Sequence, residues 1–255
     1  MALQPLSQID LHRFPRRLEV RLNRPEKRNA LTAAMYNAMA DALEEGAGEQ
    51  EVRAVIFYGE GECFCAGSDL SDFLAGDRRT GGAAVDRFLR VLSTSDCILI
   101  AAIQGPTVGI GATMLLHFDH VAAAEDAVLR FPFVPLGLVP EAASSMLLPA
   151  AVGRLKAAEL LLTGEAVPAQ RALALGLVSQ TVSPGEQLEA ARAFSARVED
   201  MPAGALSATK RLLRSSTTSV QERVEEEARE FSARLTSDEF RAAAQSVLER
   251  RSVQH

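Results

Sequence analysis

The run ILIAAIQGPTVGIGATMLLHFD, Ile98 to Asp119, changes character twice. Ile98 to Ile103 is a continuous apolar stretch of strand length, and Gly105-Pro106 breaks it. Gly109-Ile110-Gly111 then opens a helix of small and apolar residues that extends to about His117. A comparable turn stands upstream, Phe64-Cys65-Ala66-Gly67-Ser68-Asp69-Leu70, after the β-rich run Arg53 to Tyr58 and its closing Gly59-Glu60-Gly61. Taken singly, such glycines make tight turns and close helix contacts. Taken as a pair, turns of this kind can leave backbone N–H groups unpaired and facing a cleft. Two such donors aimed at one carbonyl oxygen form an oxyanion hole, and the helix behind the second turn adds its positive end.

Working outward, Leu18 to Leu22 alternates apolar and charged residues, as a half-buried strand does. A turn-rich segment, Asn23 to Asn29, follows. Thr32 can cap the next helix, which carries Met35, Met39 and Leu43 at helical spacing and has Gly46 just past its end. Asp77 to Gly82 is polar and reads as a loop, with Phe88 to Leu92 in a helix beyond it. Val121 to Ala124 and Val128 to Phe131 read as short strands. After Pro140 the chain is largely helical, over Leu155 to Leu162, Ala169 to Ala174, Gly185 to Val198, Ser207 to Arg214 and Val220 to Arg251. Strands and helices alternate first and helices dominate last, so the expected class is α/β with a helical C-terminal section.

The 255 residues suffice for a full core without disulfides or metals. A net charge of −6 gives no support for nucleic-acid binding, although a local cationic patch can still hold an anionic ligand. Cys63, Cys65 and Cys97 are odd in number and wrongly spaced for a redox or zinc element, so they read as reduced thiols. The first residues are too mixed for a secretory signal, no stretch is long and apolar enough for a bilayer, and RSVQH does not match the peroxisomal address. The expectation is a cytoplasmic protein without a membrane partner.

Four strings in order, NRPEKRNAL (Asn23–Leu31), FCAGSDL (Phe64–Leu70), GPTVGIGATMLLHFD (Gly105–Asp119) and PEAASSMLLP (Pro140–Pro149), resemble the crotonase, or enoyl-CoA hydratase/isomerase, superfamily. The resemblance runs from about Leu18 to the last helices. It implies a spiral of repeated ββα units over residues 1–200 and a helical trimerisation section over 201–255, giving a homotrimer or a dimer of trimers. It implies an acyl-CoA thioester substrate, with coenzyme A as part of that substrate and no separate cofactor. The thioester carbonyl is then expected between the backbone N–H groups of Ser68 and Ile110.

Hydratases of this family use two glutamates. Their positions are occupied here by Thr113 and Phe133, and neither is a carboxylate, so a two-glutamate hydration is not expected. Val139-Pro140-Glu141-Ala142-Ala143-Ser144-Ser145 instead resembles the element that carries the catalytic glutamate of peroxisomal-type Δ3,Δ2-enoyl-CoA isomerases. Glu141, placed where a new helix begins, is the expected single acid/base, in an apolar setting supplied by Pro132, Phe133, Val134, Leu136 and Leu138. The acyl pocket is expected to include Phe133, Leu136 and Thr113. Without the family context, Glu141 reads equally as a first-turn carboxylate facing a helix dipole.

Arg24, Lys27, Arg28, Ala66 and, on a C-terminal helix, Lys210 are the expected coenzyme A contacts; singly, each cation also reads as a solvated surface charge. His117 and His120 are three apart but lack a third ligand cluster, so no metal is expected. Asp69 and Asp72 read as helix caps or as second acids. The readings left open are an atypical hydratase or acyl-CoA hydrolase and a non-catalytic acyl-CoA-binding protein.

Overall fold

The structure is a computed structural model that describes residues 8–48, 52–69, 78–214 and Asp238. It divides into two compact units, Met1–Glu199 and Asp200–His255. The first unit begins with a hairpin. Strand β1 (Ile9–Phe14) pairs antiparallel with β2 (Arg17–Leu22) across the turn Pro15-Arg16. The alternation of Ile9 and Leu11 with polar neighbours is its signal.

Strands β3 (Ala54–Gly59), β4 (Ile98–Ile103), β6 (His120–Ala124) and β9 (Gln180–Val182) extend the hairpin as a parallel sheet, in the order β1-β2-β3-β4-β6-β9. A smaller sheet holds β5 (Pro106–Val108), β7 (Val128–Arg130) and β8 (Val167–Pro168). Each step of the chain gives one strand to the large sheet and then, after a tight turn, one to the small sheet: β4 then β5, β6 then β7. Cys65, just after β3, joins the small layer through a parallel bridge to Thr107. This is the spiral of ββα units that the resemblance implies, and the short turns follow from the need to cross between layers without burying unpaired backbone.

Both faces of the large sheet are covered, which is why β3 and β4 are apolar throughout rather than alternating. In register, Val20, Phe57, Ala101 and Val121 form one row. They belong to the same buried cluster as Met35, Met39 and Leu43 of helix α1 (Ala33–Gly48). Helix α2 (Arg78–Thr94) packs on α1 through Ala84, Phe88 and Leu92. The loop expected over Asp77 to Gly82 is therefore a helix from Arg78 onward. The packed face at Ala84 and Phe88 nucleates it, and propagation into the polar first turn outweighs the cost of the glycines.

The opposite row is Glu19, Ile56, Ile100 and His120, and helix α7 (Gln187–Glu199) covers it. Helices α3 (Ile110–Thr113), α4 (Ser144–Val152), α5 (Arg154–Thr163) and α6 (Ala169–Ala174) precede α7 in the chain. Here the half-buried pattern expected for β2 holds at Arg21, which stays partly exposed, but not at Glu19, which is only 1% exposed. Its carboxylate accepts from Arg17 at 3.0 Å and from Arg192 of α7 at 3.0 and 2.8 Å. Phe194 of the same helix stacks on His120, with centroids 3.9 Å apart. A buried charge requires such partners, and the long-range pairing from α7 supplies them.

The second unit contributes helix α8 (Ala203–Arg214). The helical run expected over Val220 to Arg251 lies outside the described residues. No helix among the described residues is long and apolar enough to cross a membrane.

Candidate active site

Side chains and backbone stitch the first two motifs together. Asn29 is fully buried, with φ 55°. Its carboxamide oxygen accepts from the Arg24 amide at 2.9 Å, and its nitrogen donates to the carbonyls of Glu60 and Cys63 at 3.0 and 2.7 Å. Arg24 donates to Asp69 at 2.6 Å and to the Ala30 carbonyl at 2.9 Å. Leu31 bridges the second motif by donating to Gly67 at 2.8 Å and accepting from Asp69 at 2.9 Å. The residues of NRPEKRNAL thus set the path of the first glycine turn. Asp69 is buried and paired with Arg24 rather than standing as a free acid, and Asp72 lies outside the described residues.

The two glycine turns run side by side. Cys65 pairs with Thr107, and Val108 donates to the Cys65 carbonyl at 2.9 Å. Three residues beyond each bridge partner stand Ser68 and Ile110, each directly after a glycine of positive φ: Gly67 at 100° and Gly109 at 56°. A β-carbon on Gly67 would lie 3.2 Å from the Val108 carbonyl oxygen, and one on Gly109 would lie 3.9 Å from Gly67 Cα. The first distance is tight, whereas at Gly109 there is ordinary room and it is the positive φ that calls for glycine. Gly111 is tighter still, with a β-carbon there only 2.8 Å from Cys65 Cβ. Among the described residues, neither the Ser68 nor the Ile110 amide donates to a protein acceptor. α3 continues directly into a 3-10 helix, Met114–His117, so the helix expected to extend to His117 does so in two geometries.

Glu141 does not open a helix. It precedes Ala142 and Ala143, both at positive φ, and α4 starts only at Ser144. No acid stands in the first turn of α4, so the helix-dipole reading of Glu141 does not apply. Loss of hydration raises its carboxyl from 4.5 to about 7. Its charge adds to the upward push that burial exerts on the Tyr36 phenol and the Cys65 thiol. Tyr36, 2% exposed on α1, shares a 2.7 Å hydrogen bond with the Ser68 hydroxyl. Burial raises its phenol well above the ordinary value. Tyr36 stands outside the four sequence motifs. Its signal was a tyrosine among the apolar positions of a helix, where the hydroxyl needs a partner.

The other expected residues fall into distinct settings. Thr113 is fully buried and its hydroxyl donates to the Gly109 carbonyl at 3.2 Å. Phe133 is buried, but Val134, Leu136 and Leu138 are 45%, 55% and 54% exposed, so they do not form the closed apolar wall expected of them. Lys27 and Arg28 are exposed, and the Ala66 amide donates to the Arg28 carbonyl at 3.0 Å, setting this basic turn beside Ala66. Lys210 is 2% exposed on α8, unlike the solvated charge that composition suggests. His117 and His120 have separate partners: His117 meets the Ala142 carbonyl, and His120 meets Phe194 and Gln180. Among the described residues no group of three or more His, Cys, Asp and Glu is placed to hold a metal.

A profile of the enoyl-CoA hydratase/isomerase family matches residues 18–255. A putative enoyl-CoA hydratase of Thermus thermophilus is 38% identical over 201 residues, covering 75% of this chain and 78% of that protein. Enoyl-CoA delta isomerase 2 of Rattus norvegicus is 35% identical over 168 residues, 64% of this chain and 43% of the rat protein. The structure of a putative enoyl-CoA hydratase/carnithine racemase from Magnetospirillum magneticum superposes with a TM-score of 0.92 at 33% identity, covering 96% of this chain and 97% of that one.

Proposed function

The chain belongs to the enoyl-CoA hydratase/isomerase family, and from that premise we propose that it moves the double bond of a 3-enoyl-CoA thioester to the 2-position with Glu141 as its single base. The observation that carries this reading is a desolvated carboxylate, raised to about 7, whose charge is felt by Tyr36 and Cys65, with Thr113 and Phe133 at the two positions where a hydratase needs acids. The thioester oxygen sits between the Ser68 and Ile110 amides. Glu141 takes a proton from C2, and the C–H electron pair enters a dienolate whose oxygen charge is held by those fixed dipoles. The C3–C4 double-bond electrons pass to C4, which takes the same proton back from Glu141. The new double bond lies between C2 and C3, and no water is consumed.

Lys27 and Arg28, beside Ala66, are the proposed contacts for the phosphates of coenzyme A. Arg24 contributes through Asp69 by holding the turn in place. The C-terminal section is the proposed assembly element of a trimer, in keeping with the expectation from sequence.

A hydratase reading draws support from relatives that carry that name, and a side-by-side assay separates the two. Incubation with 3-enoyl-CoA is expected to produce 2-enoyl-CoA, and incubation with 2-enoyl-CoA is expected to give no more than a trace of hydroxyacyl-CoA. Dominant hydration would overturn the isomerase reading. The pH profile follows from the carboxyl. Glu141 is protonated and inactive as a base below about 7, so kcat/KM should fall as pH drops through that value and level off above it. A profile flat from pH 5 to 8 would exclude Glu141 as the base.

A further inference from the structure

Glu141 is followed by a backbone conformation that its sequence does not favour. Ala142 and Ala143 have φ of 53° and 54° in succession, a region that residues with a β-carbon rarely adopt even singly. An observed outlier of this kind, at a candidate base, invites the question of what holds it. Besides the amides of Met146 and Leu147, which both donate to the Ala143 carbonyl at 2.9 Å, three hydrogen bonds do. The Glu141 carbonyl accepts from the Ser144 amide at 2.9 Å and from the Ser144 hydroxyl at 2.6 Å. The Ala142 carbonyl meets His117 Nε2 at 2.9 Å. A carbonyl can only accept, so Nε2 is the protonated ring nitrogen of this contact.

The first two bonds are local, whereas the third comes from 25 positions earlier in the chain. His117 ends the 3-10 helix that continues α3, and the first residue of α3 is Ile110. One short helical rod therefore begins at the proposed oxyanion donor and ends on the turn that carries the proposed base. We infer that His117 is a positioning residue, which ties the Glu141 turn to the Ile110 helix and thereby sets the reach of the carboxylate to the acyl carbons. The inference rests on the reading of Glu141 as the base.

The demand for such a tie is chemical. One carboxylate must serve both C2 and C4 of the same dienolate, and a misplacement of about 1 Å costs roughly 100-fold in rate. The local bonds from Ser144 orient the carbonyl of Glu141 but do not refer the turn to the oxyanion site. The contact from His117 does.

The test is a cycle of variants assayed for 3-enoyl-CoA isomerisation. His117→Leu should lower kcat by about 10- to 100-fold while KM changes little, because ground-state binding does not pass through His117. His117→Gln, whose amide can present an N–H at similar reach, should recover most of the loss. In a Glu141→Gln background, His117→Leu should add little further loss, since two residues acting through one group are not additive. Should His117→Leu fail to fold, His117→Asn, whose shorter amide falls short of Ala142, takes its place in the cycle. An unchanged kcat, a loss that Gln does not recover, or a full additional loss in the Glu141→Gln background would overturn the positioning role. If Glu141→Gln by itself leaves isomerisation intact, the base assignment falls, and the inference with it. If Glu141→Gln abolishes isomerisation but His117→Leu does not lower it, the base assignment stands and only the positioning role is lost.

Discussion

Glu141→Gln is expected to slow isomerisation of a 3-enoyl-CoA by roughly 100-fold or more, the scale of a positioned general base. Glutamine keeps the shape of the side chain but cannot accept the C2 proton. Thioester binding should change little, because recognition rests on the glycine-turn amides and the nucleotide contacts. Thr113→Ala should be much milder, since the Thr113 hydroxyl is already engaged with the Gly109 carbonyl and has no part in proton transfer. The same Glu141→Gln variant should also be more stable at neutral and higher pH. The folded protein holds the Glu141 proton up to about 7, whereas a freely hydrated glutamate releases it near 4.5. Stability is thus lost as pH rises between those values, and the full deficit persists above them. Removing the charge should recover on the order of 1–3 kcal/mol at pH 8 and nothing below pH 4. An activity lost without any gain in melting temperature at pH 8 would show that the carboxylate is less desolvated than its surroundings indicate. Reversed effects at Glu141 and Thr113 would overturn the isomerase assignment and make an activity centred on the earlier loop the next to test.

Gly105→Ala is expected to be among the most damaging single substitutions to the fold. Gly105 has φ 52°, and a β-carbon there would stand 2.0 Å from the Glu62 carbonyl oxygen. Neighbouring bonds hold the crossing in place: Phe64 donates to the Gln104 carbonyl at 2.9 Å, and the Gln104 amide donates to the carbonyls of Gly59 and Gly61 at 2.8 and 2.9 Å. Backbone must therefore move, and the positive φ adds its own cost. Together these give roughly 3 kcal/mol or more, or a melting temperature lower by about 6–12 °C for a protein of this size. Activity should fall as well, because the same link leads into the turn that carries Ile110. The contrasting variant is Gly82→Ala. Gly82 lies within α2 and has no atom within 4 Å of a β-carbon position. Alanine there should raise stability by about 0.5–1 kcal/mol. Thermal melts of both variants decide the matter, and a Gly105→Ala protein that melts with the parent would show that the crossing relaxes at little cost.

The sequence by itself determined what depends on a residue and its near neighbours in the chain. The apolar strands, the glycine turns and the helix after Gly109 follow from periodicity and from the steric freedom of glycine, and they stand where those rules put them. The four motifs identified the family for the same reason, since each is a contiguous string. What only the tertiary structure decided depends on partners far along the chain. The loop expected at Asp77 to Gly82 becomes helix from Arg78 because α1 lies against Phe88 and Leu92. Glu19 of β2 can be buried because Arg192 arrives from 173 positions away to meet it. Arg24 is engaged by Asp69, and Lys210 is buried, although both are expected from sequence as coenzyme A contacts or, taken singly, as solvated cations. The string Pro140-Glu141-Ala142 names a candidate base, but it contains neither the desolvation that raises its carboxyl nor the hydrogen bond from His117 that holds its turn. Hydration and hydrogen-bond partners are properties of the space around a group, and that space is filled by residues distant in the chain.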